Sequence, residues 1–163
     1  MRHADSKIVS RSDLVAKLAE HKRRRERVVF GNGCFDGLHV GHIRYLEGAR
    51  AEGDVLVVGV NTDSSVCALK GQGRPVLDEK ARALLVAALR AVDYVVLFDE
   101  PSVEPLLEAL QPEVHAKGTD YTMETVPERE TAARLGIRVA VVGDPKSHST
   151  RDLLGSIRKA PHG

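Results

Sequence analysis

Little in this chain points toward a membrane, a disulfide framework or a nucleic-acid surface. Its 163 residues hold only two cysteines, Cys34 and Cys67. Neither belongs to a Cys-x-x-Cys pair, so neither a structural zinc site nor a disulfide framework is indicated, and a reducing cytoplasm is the simplest home. No apolar run approaches the roughly 20 residues of a membrane span, and residues 1–10 lack the apolar core of a secretory signal. An excess of charge is also missing: 24 Lys and Arg stand against 23 Asp and Glu, for a net charge of +1. That balance excludes a broadly basic nucleic-acid binder, though not a local basic site. The run Lys22-Arg23-Arg24-Arg25 is short and falls at the end of an expected helix, where cations complement the dipole, so it reads as a solvated face. Internal repeats, linkers and low-complexity segments are absent from the sequence.

What is present suits one domain over 1–163, with 42% hydrophobic and 29% charged residues, the balance of an ordinary globular chain. At this length about two thirds of the unfolded surface can be buried, enough for a core without staples. Ser10 and Asp13 resemble a capping box, with Leu14, Val15 and Leu18 at helical spacing, and predict a helix over 12–24 within an N-terminal helical extension, 1–26. The rest alternates. Apolar runs predict strands at 27–31, 55–60, 94–98, 114–117 and 137–142. Between them helices are expected at 41–51, around Ala81, Leu84, Leu85, Ala88 and Leu89, at 103–110, from Pro127 to Gly136, and at 151–158. Residues 159–163 read as a tail. Such alternation implies an α/β fold, a doubly wound sheet of about five parallel strands with helices on both faces. Ligands of these sheets bind beyond the carboxyl ends of the strands. The polar residues Asn61 and Asp63, Asp99, Lys117 to Tyr121 and Ser147 to Arg151 all follow strands.

The densest signal is Gly33-Cys34-Phe35-Asp36-Gly37-Leu38-His39-Val40-Gly41-His42, between the first strand and a helix start. Histidines three apart on a first helical turn project to one side. Gly41 leaves room for a ligand at the backbone, and the helix N-terminus adds N–H donors and a positive dipole end. Two imidazoles, the Asp36 carboxylate and that helix end make a place for phosphate. Asp36 could hold magnesium through water or orient a histidine. A zinc site is the competing idea, but no third ligand lies at a convincing spacing. Lys70, beside the Gly-rich loop Lys70-Gly71-Gln72-Gly73-Arg74-Pro75, could reach a phosphate or remain a solvated loop lysine. Arg82 could reach a phosphate or pair with Glu79 or Asp78 at the surface. Lys117-Gly118-Thr119-Asp120-Tyr121 could cradle a nucleotide or form an Asx-type turn. Ser149 or Thr150 could cap the last helix and leave its N–H groups for a phosphate. His115, on a short strand, reads as a satisfied core histidine.

The segment from Gly33 to His42 resembles the GxFDxxHxGH signature of the HxGH nucleotidylyltransferase superfamily. From Lys7 to Ile157 the chain is similar to the adenylyltransferase domains that make ADP-heptose, through Asn32-Gly33-Cys34-Phe35-Asp36, Gly59 to Val66, Leu69-Lys70-Gly71 with Arg74-Pro75-Val76, Val92 to Val96, Lys117-Gly118-x-Asp120-Tyr121 and Ser149-Thr150. The resemblance implies transfer of AMP from ATP to a heptose 1-phosphate, with magnesium, within a nucleotide-binding core over 27–158. It implies His39, His42 and Lys70 as catalytic residues. Gly33, Cys34, Phe35, Asp36, Gly41, Asn61, Asp63, Arg82, Lys117, Gly118, Asp120, Tyr121, Ser149 and Thr150 would line the nucleotide, with Asp36 as an indirect magnesium ligand. Relatives suggest a homodimer, and because the chain begins at its own Met1 a separate sugar kinase is expected upstream; nucleic acid and membrane are not expected as partners. Three positions depart from the family: Gly37, Thr119 and Arg151. The rivals are a cytidylyltransferase for glycerol 3-phosphate or a similar small phosphate or phosphonate, an FMN adenylyltransferase, and a non-catalytic nucleotide sensor.

Overall fold

Five apolar runs set the architecture. In the computed structural model, which describes residues 3–145 and 149–159, they form β1 (Val28–Gly33), β2 (Val55–Asn61), β3 (Tyr94–Phe98), β4 (Val114–Gly118) and β5 (Arg138–Val142). All pair in parallel, in the order β3-β2-β1-β4-β5. The helices are α1 (Arg11–Arg23), α2 (Val40–Ala51), α3 (Asp63–Lys70), α4 (Glu79–Ala87), α5 (Glu104–Leu110), α6 (Arg129–Leu135) and α7 (Thr150–Lys159). The expected doubly wound α/β sheet is present.

Successive strand residues leave on opposite faces, and here they feed two cores. Val28, Phe30, Val55 and Val57 pack with Leu14 and Leu18 of α1, Leu106, Leu107 and Leu110 of α5 and Ala132 of α6. Val29, Leu56, Val58 and Val60 pack with Leu46 and Ala49 of α2 and with Ala83, Val86 and Ala87 of α4. Both faces are covered, which is why β2 is apolar and buried along its whole length. A fully buried leucine contributes roughly 1.5–3 kcal/mol. The sealed Leu14 and Leu18 therefore tie α1 to the sheet more firmly than its own helix propensity would.

Local chemistry sets the helix ends. Ser10 Oγ accepts from the Asp13 N–H at 3.1 Å and starts α1, as the sequence suggests. Gly136, at φ 70°, ends α6 in the left-handed region that glycine tolerates. The basic run is more than a solvated face: Lys22 Nζ donates to the carbonyls of Leu110 and Gln111 at 2.8 and 2.7 Å and closes the C-terminal end of α5. Helix α3 is not apparent in the sequence. Its first residues, Asp63-Ser64-Ser65, are weak helix formers, and it forms because the Thr62 side chain accepts from the Ser65 N–H and Val66 is buried.

The chain runs from β1 outward to β3 in one direction, then returns to place β4 and β5 on the other side of β1. The reversal opens a crevice at the carboxyl ends of β1 and β4. Among the described residues no helix is long and apolar enough to cross a membrane.

Candidate active site

The turn after β1 takes unusual backbone. Phe35 and Gly37 sit at φ 49° and 87°. The second value lies in the left-handed region that glycine adopts without strain. The turn delivers His39 to the N-cap of α2. There its Nδ1 accepts from the Gly41 N–H at 3.1 Å, and His42 Nδ1 accepts from the His39 N–H at 3.3 Å. An imidazole that accepts through Nδ1 carries its proton on Nε2. The reciprocal bonds therefore select one tautomer in both rings and lock the rings together, 3.9 Å between centroids. The two Nε2–H donors add to the positive end of α2.

Asp36 is bonded to the protein around it. Its side chain is sealed from solvent and accepts from Arg74 Nε at 2.6 Å, the Val76 N–H at 2.8 Å and the Leu77 N–H at 3.2 Å. Burial works to raise its pKa, but the bonds from Arg74 and from the Leu77 and Val76 amides outweigh it and hold the carboxyl below its ordinary value. Asp36 thus fastens the loop after α3 beneath the signature turn. Among the described residues no group of three or more His, Cys, Asp or Glu could hold a metal ion.

Arg82 does not pair at the surface. It is fully buried and donates to the carbonyls of Leu77 (2.9 Å), Cys34 (2.7 Å) and Asn61 (2.7 Å) and to Asp63 Oδ1 (2.8 Å). A guanidinium spent this way joins the ends of β1 and β2 to the approach to α4. Asp63, at the start of α3, completes its charge balance. Asn61 is buried and donates from Nδ2 to Ser65 Oγ at 2.9 Å. Asp36, Asp63 and Arg82 therefore stand behind the crevice as its frame.

The crevice itself is a cleft of about 1180 Å³. Its floor is Asn32, Gly33, Cys34, Phe35, His39, Gly41 and His42. On the β2 side the wall holds Asn61, Lys70 and Arg74. Lys70 ends α3 rather than riding on the loop after it. Burial pushes the Cys34 thiol up, against the opposing pull of Lys70, so the thiol stays neutral. On the β4 side stand Lys117, Gly118, Asp120 and Tyr121, with Ser149 and Arg151 at the start of α7. Lys117 is buried, 3.4 Å from Glu128 Oε2 and 4.6 Å from the centroid of the Tyr121 ring. Thr119 Oγ1 donates to the Asp144 carbonyl at 2.8 Å and ties this turn to the loop after β5. Ser149 Oγ accepts from the Asp152 N–H at 3.1 Å, so it caps α7. The Thr150 side chain, Ser147 and His148 lie outside the described residues.

Arg74 and Asn32 are among the lining residues that the sequence does not single out as site residues. Arg74 is held at Nε by Asp36, yet its Nη2 is buried with no hydrogen-bond partner. Asn32 stands at the end of β1. The signal for Arg74 was its place beside Lys70 in the Gly-rich loop. Tyr45 supports the floor from below. Its buried hydroxyl donates to the Ala116 carbonyl at 2.9 Å and accepts from the Asn32 N–H at 3.2 Å. Burial pushes its pKa well up. A Cβ on Gly31 would come within 2.6 Å of that hydroxyl, so only glycine lets the tyrosine pass there.

A family model described as cytidylyltransferase-like matches residues 30–153. Bifunctional protein HldE of Geotalea uraniireducens is 48% identical over 155 residues, which is 95% of this chain and 32% of that protein. Its namesake in Geobacter sulfurreducens is 45% identical over 156 residues, 96% of this chain and 32% of that protein. The chain thus spans about a third of the length of the curated relatives it matches. Among solved structures, a lipopolysaccharide core biosynthesis protein from Thermoplasma volcanium superposes with a TM-score of 0.62 at 28% identity, covering 74% of this chain and 99% of the other. Pantothenate synthetase from Thermus thermophilus shares the fold, with a TM-score of 0.60 at 24% identity over 88% of this chain and 63% of the other.

The Asp36 latch has a pH signature. Its folded pKa lies below the ordinary carboxylate value. Its contribution to stability is therefore complete above about pH 4 and fades as the pH falls through the depressed folded value. Asp36→Asn is expected to lower Tm at pH 7, with the gap to the wild type narrowing on acidification below about pH 4. A gap that stays constant from neutral to acid pH would show that the carboxylate's charge does not hold the loop.

Proposed function

The chain belongs to the cytidylyltransferase-like family, and from that premise we propose that it is an adenylyltransferase that moves AMP from ATP to a heptose 1-phosphate. An oxygen of the sugar phosphate attacks the α-phosphorus of ATP in line. The bond from that phosphorus to the β-phosphate bridging oxygen breaks, pyrophosphate leaves with its electron pair, and ADP-heptose forms. The nucleophile belongs to the substrate, so the protein places groups and stabilises charge. The neutral Cys34 thiol takes no part in bond making.

The observation that carries this proposal is the reciprocal capping of α2, which presents two Nε2–H donors in one fixed tautomer at a helix N-terminus. Lys70 and Arg74 on one wall and Lys117 on the other flank these donors, Arg74 paired with Asp36 and Lys117 with Glu128. Nη2 of Arg74, buried and unbonded within the protein, suits a phosphate oxygen supplied by substrate. The nucleoside is assigned to the β4 side, by Gly118, Asp120 and Tyr121, and the acceptor to the β2 side. ATP is proposed to arrive as its magnesium complex. Asp36 already satisfies Arg74 and two amides, and magnesium binds phosphate oxygens and water with few protein ligands. A cytoplasmic setting, a homodimer and a sugar kinase activity that supplies the acceptor complete the proposal.

Pyrophosphate release is the direct test. ATP and CTP are each offered with heptose 1-phosphate, glycerol 3-phosphate and FMN. Release with ATP and the heptose is expected. Preference for CTP with glycerol 3-phosphate would make the chain a cytidylyltransferase, and release with ATP and FMN an FMN adenylyltransferase. Nucleotide binding without release from any pair would make it a sensor.

His39→Ala and His42→Ala are each expected to cut turnover by on the order of a hundredfold or more, as the loss of transition-state donors does. Folding is checked by circular dichroism. Near-normal turnover in both folded variants would remove the imidazoles from the mechanism.

A further inference from the structure

His115 is a buried group that this mechanism leaves unused. It lies on β4 beside Phe30 of β1, fully shielded from solvent, with the two rings 5.7 Å apart. Burial, reinforced by the nearby Lys117 ammonium, pushes its pKa down to about 3. The ring is therefore neutral at physiological pH and carries one proton. Its Nδ1 has no hydrogen-bond partner, while its Nε2 lies 3.3 Å from Asn32 Oδ1. A carbonyl oxygen only accepts, so Nε2 bears the proton and donates it to the Asn32 amide. The expectation of a satisfied core histidine is half met: one ring nitrogen is bonded and the other is not.

That bond has a consequence for the cleft. Asn32 lines the floor, between the wall that carries Lys70 and the wall that carries Lys117. With Oδ1 held from behind by His115, a flip of the amide would force the ring proton onto the buried, partnerless Nδ1, so the NH2 is the edge left to a ligand. The backbone beneath is fixed as well, because the Asn32 N–H donates to the Tyr45 hydroxyl. We propose that Asn32 is a substrate-binding residue that donates to a phosphoryl oxygen of the nucleotide, and that His115 is its positioning residue, acting only through the Asn32 amide. This inference uses the proposed function solely for the identity of the ligand.

A double-mutant cycle tests it. Four proteins are compared: the wild type, Asn32→Ala, His115→Leu and the double variant. Leucine fills a similar volume and removes the unpaired Nδ1, so His115→Leu is expected to fold with Tm unchanged or raised. Both single variants are expected to weaken ATP binding, measured by calorimetry with magnesium present, and to lower kcat/KM for pyrophosphate release by about tenfold. In the Asn32→Ala background, His115→Leu is expected to cost nothing further. His115→Gln, which keeps a donor, is expected to recover much of the loss. A His115→Leu effect of equal size in both backgrounds, or no effect in either, would overturn the proposal. If the wild type binds ATP but releases no pyrophosphate from any pair, the transferase reading fails. The cycle in ATP affinity still decides the role of His115.

Discussion

Two backbone amides bonded to two imidazoles are the constraint on which the site depends. Histidine is an uncommon N-cap, and here the reason for it is chemical. A serine or aspartate would satisfy the helix equally well but would present no N–H to a ligand. Imidazole does both tasks with opposite sides of one ring. Nδ1 takes the place of a capping oxygen, and Nε2 offers a proton outward. The helix start thereby fixes the tautomer before any ligand arrives, and preorganisation of this kind is what makes a donor effective at developing charge.

A frame of inward-turned charges holds that start in place. Asp36 and Arg82 look like phosphate and metal ligands by residue type, yet both spend their hydrogen bonds on the protein. Asp36 fastens the Gly-rich loop, and Arg82 binds the ends of β1 and β2. Breaking a buried ion pair by removing one partner costs about 3–5 kcal/mol, a large part of the stability of a domain this size. Two of the lining cations share in this work: Arg74 is bonded to Asp36 through Nε, and Lys117 is paired with Glu128. Lys70 and the unbonded Nη2 of Arg74 face the cleft.

The sheet, its parallel order and the signature turn were legible because their information is local. Apolar runs of strand length, helical spacing and the interval between His39 and His42 can each be read within a few positions. The frame was not legible, since its partners meet only after folding. Arg74 and Asp36 lie 38 positions apart, Arg82 and Cys34 lie 48 apart, and His115 and Asn32 lie 83 apart. Residue type pointed Asp36 and Arg82 toward ligand, and burial assigned them to the scaffold. Helix α3 was hidden for a related reason: packing of Val66 and a single threonine cap outweigh the weak helix propensity of its first residues.

The tautomeric state of His39 and His42 tests the central claim most directly. Long-range proton–nitrogen correlation spectra of the labelled protein near neutral pH report which ring nitrogen carries the proton. The account predicts that both rings carry it on Nε2, with Nδ1 unprotonated, and that the Nε2 signals move when ATP is added. Protons on Nδ1, or rings whose signals ignore ATP, would contradict it.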